Sequence, residues 1–161
     1  MIYYNDVKVY LGEVIVMEQL DRFIKAQENM YLIALNEIKN GRKQSHWMWY
    51  IFPQIKGLGM SETSRYYGID GEDEAKEYLD NEILGSRLRE ITSELLKLDI
   101  NNPVDIFGTI DAMKLKSSMT LFDHVSDDKL FSEVLDKYYN GEIDEKTILL
   151  CEKGKSLTYK K

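Results

Sequence analysis

The sequence has little cysteine, histidine and proline: one, two and two residues respectively among 161. The single cysteine, Cys151, cannot form an internal disulfide and is typical of a protein in a reducing cytosol. The cysteine and the two histidines show no spacing typical of metal ligands. The sequence therefore predicts no metal site, and no motif in it indicates another cofactor.

Long apolar runs and a basic composition are also missing. No apolar stretch approaches the ~18 residues that a membrane span needs, and the N-terminus lacks the pattern of a secretory signal. The net charge of −7 argues against generic nucleic-acid binding. We therefore expect a cytoplasmic protein that acts away from membranes and nucleic acids. The sequence does not indicate an oligomeric state.

Helical periodicity dominates the chain from residue 17 onward. Its clearest example is an amphipathic stripe with apolar residues three and four positions apart, formed by Leu84, Leu88, Ile91, Leu95 and Leu98. An apolar content of 43% in 161 residues is enough for one domain with its own core. The predicted fold class is all-α, a single compact domain of about seven to nine helices over residues 17–151.

The two ends of the chain differ from this helical part. Residues 1–16 alternate between apolar and polar types, which predicts either an extended arm or a short β-hairpin. Residues 152–161 are basic and are predicted to form a flexible tail after a short last helix at Ile148–Cys151. Between them, Asp105–Gly108 is predicted to be a turn.

The segment from Gly41 to Gly59, GRKQSHWMWYIFPQIKGLG, concentrates the rare residue types. It contains both tryptophans, one of the two histidines and one of the two prolines. From Gly41 to Arg65 the net charge is +3, within a chain of net charge −7. Such a basic and aromatic segment indicates either a local anionic ligand or cations that pair with neighbouring acidic helices.

His46 is the candidate catalytic residue in this segment. In a helix over residues 45–52, His46 and Trp49 would share one face, near Arg42 and Lys43 at the helix start. A histidine there could act as a general acid or base. The alternative is a core histidine that donates to a backbone carbonyl.

Neighbouring residues supply the other candidate contacts. Ser45 could cap this helix and help to bind an anion at its N-terminus. Trp47 or Trp49 could stack on a nucleobase or sugar while the other packs in the core, or both could be core residues.

A second candidate cluster lies much further along the chain. On a helix, Lys114, Ser117 and Ser118 share one side, and a lysine with two hydroxyls can hold a phosphate. An ordinary solvated helix face has the same composition. Arg65 is a further candidate for binding an anion. The two clusters form one site only if the fold brings them together.

Several short motifs in the chain resemble one known family. The motifs are Asp21–Phe23, Gly41–Lys43, Ser45–Trp49, Ile51–Gln54, Gly57–Gly59, Leu84–Gly85, Arg87–Leu88, Asp105–Gly108 and Lys114–Phe122. They resemble the domain-of-unknown-function family eighteen-ten, which is widespread in bacteria and has some members labelled calpastatin. The resemblance covers about residues 18–151 and implies a small, all-helical, cytoplasmic protein without an established reaction. Residues 1–16 fall outside the family pattern, and Gln44 stands where many members have a basic residue.

Three functions are consistent with these residues. The first is an enzyme that hydrolyses or isomerises a nucleotide or ADP-ribose-like compound, with His46 as acid or base. The second is a non-catalytic protein that sequesters or senses the same ligand, and the third is a protein-interaction module that uses the aromatic residues as a patch. The candidate ligand contacts are Arg42, Lys43, Ser45, Trp47, Trp49, Gln54, Arg65, Lys114, Ser117 and Ser118.

Overall fold

The computed structural model describes the backbone of residues 19–159 and the side chains of residues 19–154. The arm or hairpin predicted for residues 1–16 lies outside the described residues.

The described chain is a set of nine helices without a β-strand, so the all-α prediction is confirmed. A single parallel bridge between Ile55 and Ile69 is the exception to helix and loop in this part of the chain. The helices are α1 (19–27), α2 (Tyr31–Lys39), α3 (Met48–Ile51), α4 (Glu62–Tyr66), α5 (Gly71–Asp80), α6 (Glu82–Lys97), α7 (Pro103–His124), α8 (Leu130–Tyr139) and α9 (Glu145–Tyr159).

Two long helices organise the core. The apolar stripe of α6 is fully buried at Leu84, Ile91 and Leu95, and this helix packs against α2, α5 and α8. Helix α7 packs against α5, α8 and α9, with Leu115 and Met119 fully buried. Of the helices described between residues 19 and 159, none combines the length and apolarity that crossing a bilayer requires.

The ends of the helices follow local signals in the sequence. The side chain of Ser61 accepts a hydrogen bond from the backbone N–H of Ser64 at the start of α4. Asn102 caps α7 in the same way, with Pro103 in its first turn. Helix α8 ends at Asn140, which has a left-handed conformation with φ of 56°. These caps show that local side chains fix where the helices begin and end.

One predicted turn was wrong, and the last helix is longer than predicted. The turn predicted at Asp105–Gly108 is the first part of α7, and the break comes only at Gly108, where φ is 78°. Glycine adopts this conformation without the steric cost that other residues carry. Residues Ile148–Cys151 lie in the last helix, as predicted, and this helix, α9, covers Glu145–Tyr159.

The junction between α5 and α6 depends on one close contact. Asn81 ends α5, and its side chain caps α6 by accepting from the N–H groups of Ile83 and Leu84. The chain reverses so tightly that a Cβ built on Gly85 would lie 2.1 Å from the Leu79 carbonyl oxygen. Only a glycine fits at this position without a backbone shift.

We expect Gly85→Ala to lower the free energy of unfolding by about 1–3 kcal/mol or more, because the new methyl group forces α5 and α6 apart. Urea denaturation followed by circular dichroism measures this change. Gly154→Ala is the matched control, since a Cβ at Gly154 meets nothing within 4 Å. Equal stability of the Gly85→Ala and wild-type proteins would contradict the proposed contact.

Candidate functional site

The carboxylate of Glu37, on α2, holds the loop that precedes α3. It accepts hydrogen bonds from the backbone N–H groups of Gln44 (2.7 Å) and Ser45 (2.8 Å) and from the Ser45 hydroxyl (2.6 Å). The indole N–H of Trp47 is a fourth donor, at 3.0 Å. Because these groups bind Glu37, the helix over residues 45–52 that the sequence interpretation required does not form. Helix α3 begins only at Met48.

Through this network the side chains of Ser45 and Trp47 both stabilise the loop before α3. Ser45 donates to Glu37 and does not cap α3. The N-cap residue of α3 is Trp47, whose side chain makes no capping hydrogen bond. Trp47 is fully buried and packs against Phe52 and Phe107, with ring centroids 6.1 and 6.5 Å away. Trp47 is therefore a core residue in this structure.

His46 lies on the surface of the same loop. It is exposed, and its backbone carbonyl accepts a hydrogen bond from the Tyr50 hydroxyl (3.3 Å). Its exposure contradicts the alternative of a core histidine. It does not belong to α3, so the argument that placed it on one helical face with Trp49 does not hold.

A cavity of about 360 Å³ lies between the segment 49–68, helix α7 and the start of α9. It contains residues from both clusters that the sequence singled out: Trp49 and Gln54 from the first, Lys114 and Ser117 from the second. The remaining lining residues are Ile55, Leu58, Gly59, Ser64, Tyr67, Gly68, Ile110, Met113, Asp144 and Lys146. The fold therefore brings two segments about 60 positions apart to one concave surface.

Lys114 occupies a defined position at this cavity. Its ammonium nitrogen lies 4.0 Å from the centre of the Trp49 ring, which is cation–π geometry. The same nitrogen is 3.3 Å from Oδ1 of Asp111, whose Oδ2 lies 2.8 Å from the ammonium of Lys43. One carboxylate thus pairs with two lysines and holds Lys114 over the tryptophan.

Other polar groups of the lining differ in how they are bonded. Nε2 of Gln54 is buried, and no described residue accepts a hydrogen bond from it. Such a donor costs about 1–3 kcal/mol when it stays unpaired. Ser117 donates to the carboxylate of Asp144 (2.8 Å), which also accepts from the Thr147 hydroxyl (2.5 Å). Lys146 is exposed at the start of α9.

The other predicted site residues are not among those that line the cavity. Arg42 is exposed, Lys43 pairs with Asp111, and Ser118 is fully buried. Arg65 lines a separate groove next to Arg22. The full set outside the cavity lining is Arg42, Lys43, Ser45, His46, Trp47, Arg65 and Ser118.

Sequence reasoning missed four residues that shape the site: Glu37, Asp111, Asp144 and Lys146. Each is one of many charged residues in a chain with 28 acids and 21 basic residues. No local pattern distinguishes them, because their roles come from partners in other parts of the sequence.

Comparisons with known proteins place this chain in a family. A family model described as "Protein of unknown function (DUF1810)" matches residues 17–151, so the chain belongs to that family, as its motifs predicted. The chain is similar to the conserved hypothetical protein Rv1873 from Mycobacterium tuberculosis, whose crystal structure is known. The two share 42% sequence identity and a TM-score of 0.80 over 81% of this chain and 94% of the other. No curated protein matches the chain closely enough to count as a relative.

The network around Glu37 also makes the fold sensitive to pH. Burial by itself would raise the pKa of the Glu37 carboxyl, but hydrogen bonds from Ser45, Gln44 and Trp47 outweigh it and lower the pKa to about 2. The carboxyl has an ordinary value of 4.5 when unfolded. Its contribution to stability is therefore complete above the ordinary value and is lost as the pH falls toward 2.

We expect Glu37→Gln to lower the free energy of unfolding by about 1–2 kcal/mol at neutral pH, a value reduced for partial solvent screening. The difference from wild type should shrink as the pH approaches 3, because the wild-type carboxyl is losing its advantage there. Urea denaturation at several pH values measures both effects. Glu133→Gln, an exposed site on α8, is the control. A deficit in Glu37→Gln that does not change with pH would rule out the ionised network as its cause.

Proposed function

We propose that this DUF1810 protein binds a small anionic molecule with a flat ring, of the nucleotide or ADP-ribose class. The proposed site is the cavity where Trp49, Gln54 and Lys114 meet. This convergence of an aromatic ring and an ammonium group, beside the side chain of Gln54, is the observation that carries the proposal. The volume of about 360 Å³ lies within the range of small-molecule sites.

The apolar part of the lining supports a ring-containing ligand. Ile55 and Leu58 come from the loop after α3, and Ile110 and Met113 come from α7. Ile110 and Met113 are 72% and 68% exposed, so they present apolar surface to solvent at the cavity. A mostly apolar surface with a few polar groups is typical of cofactor and metabolite sites.

The charged part of the lining supports an anionic group on that ligand. Lys114 and Lys146 contribute two positive charges and Asp144 one negative charge. The N-terminus of α9, which follows Asp144, also favours a negative charge through its free N–H groups. A phosphate or carboxylate would bind between these cations, and the ring would lie against the apolar side chains of the lining.

Binding without turnover is the form of the proposal that the geometry favours. His46, the predicted acid or base, is exposed and outside the lining. The carboxylate among the lining residues, that of Asp144, already accepts two hydroxyl hydrogen bonds. Such a site suits a protein that sequesters or senses its ligand.

Identification of the natural ligand needs no prior choice of compound. The protein is purified from cells and denatured, and the released small molecules are identified by mass spectrometry. A ring-containing phosphate or carboxylate present in stoichiometric amount supports the proposal. Its depletion in protein carrying Trp49→Ala would assign it to this cavity.

Adenosine monophosphate is a defined probe for the same site. We expect Trp49→Ala and Lys114→Gln each to weaken its binding about tenfold or more, because the first removes the stacking surface and the second removes a cation. Isothermal titration calorimetry measures the dissociation constants. Lys76→Gln on α5 is the matched control, since Lys76 is exposed and does not line the cavity. Equal affinity of all four proteins would show that the nucleotide binds elsewhere.

A further inference from the structure

Three side chains of metal-ligand type meet where α5, α7 and α9 pack together. Glu72 lies in the first turn of α5, His124 in the last turn of α7, and Cys151 on α9. Their ligand atoms all lie within 4.8 Å of one another, and Nε2 of His124 is 2.6 Å from Oε1 of Glu72. The sequence separates these residues by 52 and 27 positions, so their proximity results from helix packing alone.

We propose that Glu72, His124 and Cys151 form a binding site for zinc or another thiol-seeking divalent cation. Zinc binds carboxylate oxygen, imidazole nitrogen and thiolate sulfur at about 2.0–2.3 Å. Two donors around a tetrahedral zinc ion are therefore about 3.3–3.7 Å apart. The three ligand atoms lie within 4.8 Å of one another, so side-chain rotations that bring them to these separations complete the coordination.

The burial of the three groups suits a site that is anchored inside and open on one side. Cys151 is 2% exposed, and the side chains of Glu72 and His124 are 10% and 27% exposed. The sulfur thus binds from the interior, whereas the imidazole borders the solvent. Three protein ligands leave a fourth tetrahedral position for water, the arrangement of zinc sites that remain open to other ligands.

The charges of the ligand side chains also favour the binding of a divalent cation. A carboxylate and a thiolate together carry two negative charges, which a divalent ion neutralises. The resulting neutral group avoids the desolvation penalty of an unpaired buried charge. Binding of zinc by a thiolate releases the thiol proton, so affinity should rise with pH.

This site is distinct from the proposed nucleotide cavity. None of its three residues is among the cavity lining, and its expected ligand is a cation. Loss of one kind of binding therefore leaves the other to be measured separately.

Titration of metal-free protein tests the site directly. Zinc is added to a mixture of the protein and a chromophoric chelator, which compete for the ion. Cobalt is added to a parallel sample of the protein, and its absorption spectrum is recorded. We expect one ion per chain and a sulfur-to-cobalt charge-transfer band. Cys151→Ser should abolish this band, and Glu72→Gln and His124→Gln should each weaken zinc binding about tenfold or more.

His46→Gln is the matched control, because His46 is the other histidine of the chain and is exposed on a different segment. It should bind zinc like the wild type. Thermal unfolding of the metal-free variants shows whether Cys151→Ser folds. If it does not, the Glu72→Gln and His124→Gln variants still test the site, because these two side chains are less buried than Cys151. The proposal would be overturned if the protein fails to take zinc from the chelator. It would also be overturned if Glu72→Gln and His124→Gln both bind zinc with the affinity of the wild type.

Discussion

The carboxylate of Glu37 is the constraint on which the candidate site depends. It binds two backbone N–H groups, one hydroxyl and one indole N–H from residues 44–47, a segment that has no helix of its own. Trp47 is consequently buried against Phe52 and Phe107, and the N–H of Lys43 reaches the Ile106 carbonyl (2.8 Å). These contacts join the loop to α7, and they bring the start of α3 next to the helix that carries Lys114.

Electrostatics in this region are more balanced than the local sequence suggests. The segment from Gly41 to Arg65 carries a net charge of +3, yet Lys43 and Lys114 share the carboxylate of Asp111. For Lys43, a cation of this segment, the interpretation as a partner of a nearby acid is confirmed, and the anionic ligand stays a proposal. Lys43 pairs inside the protein, while Lys114 remains at the cavity and retains contact with both Trp49 and Asp111. The cavity lining therefore combines apolar side chains with cations, one of which, Lys114, is held by Trp49 and Asp111.

The cluster of Glu72, His124 and Cys151 shows why spacing along the chain is a poor guide to metal ligands in a helical bundle. Motifs such as paired cysteines reveal sites whose ligands lie on one loop or one helix. Here each ligand lies on a different helix, and α5, α7 and α9 bring them together only by packing. The sequence analysis therefore predicted no metal site, and the tertiary structure supplies the basis for proposing one.

Local physics let the sequence alone determine the helical class, the amphipathic stripe of α6 and the family. Apolar spacing fixes which face of α6 is buried, and caps such as Asn102 and Ser61 mark where helices begin. Trp49, Gln54, Lys114 and Ser117 could be named as candidates from their residue types. Their meeting in one cavity, the burial of Trp47 and the exposure of His46 were decided only by tertiary structure. The physical reason is that Glu37 offers the 44–47 segment hydrogen bonds that replace those of a helix, and such a long-range partner leaves no periodic signal in the sequence.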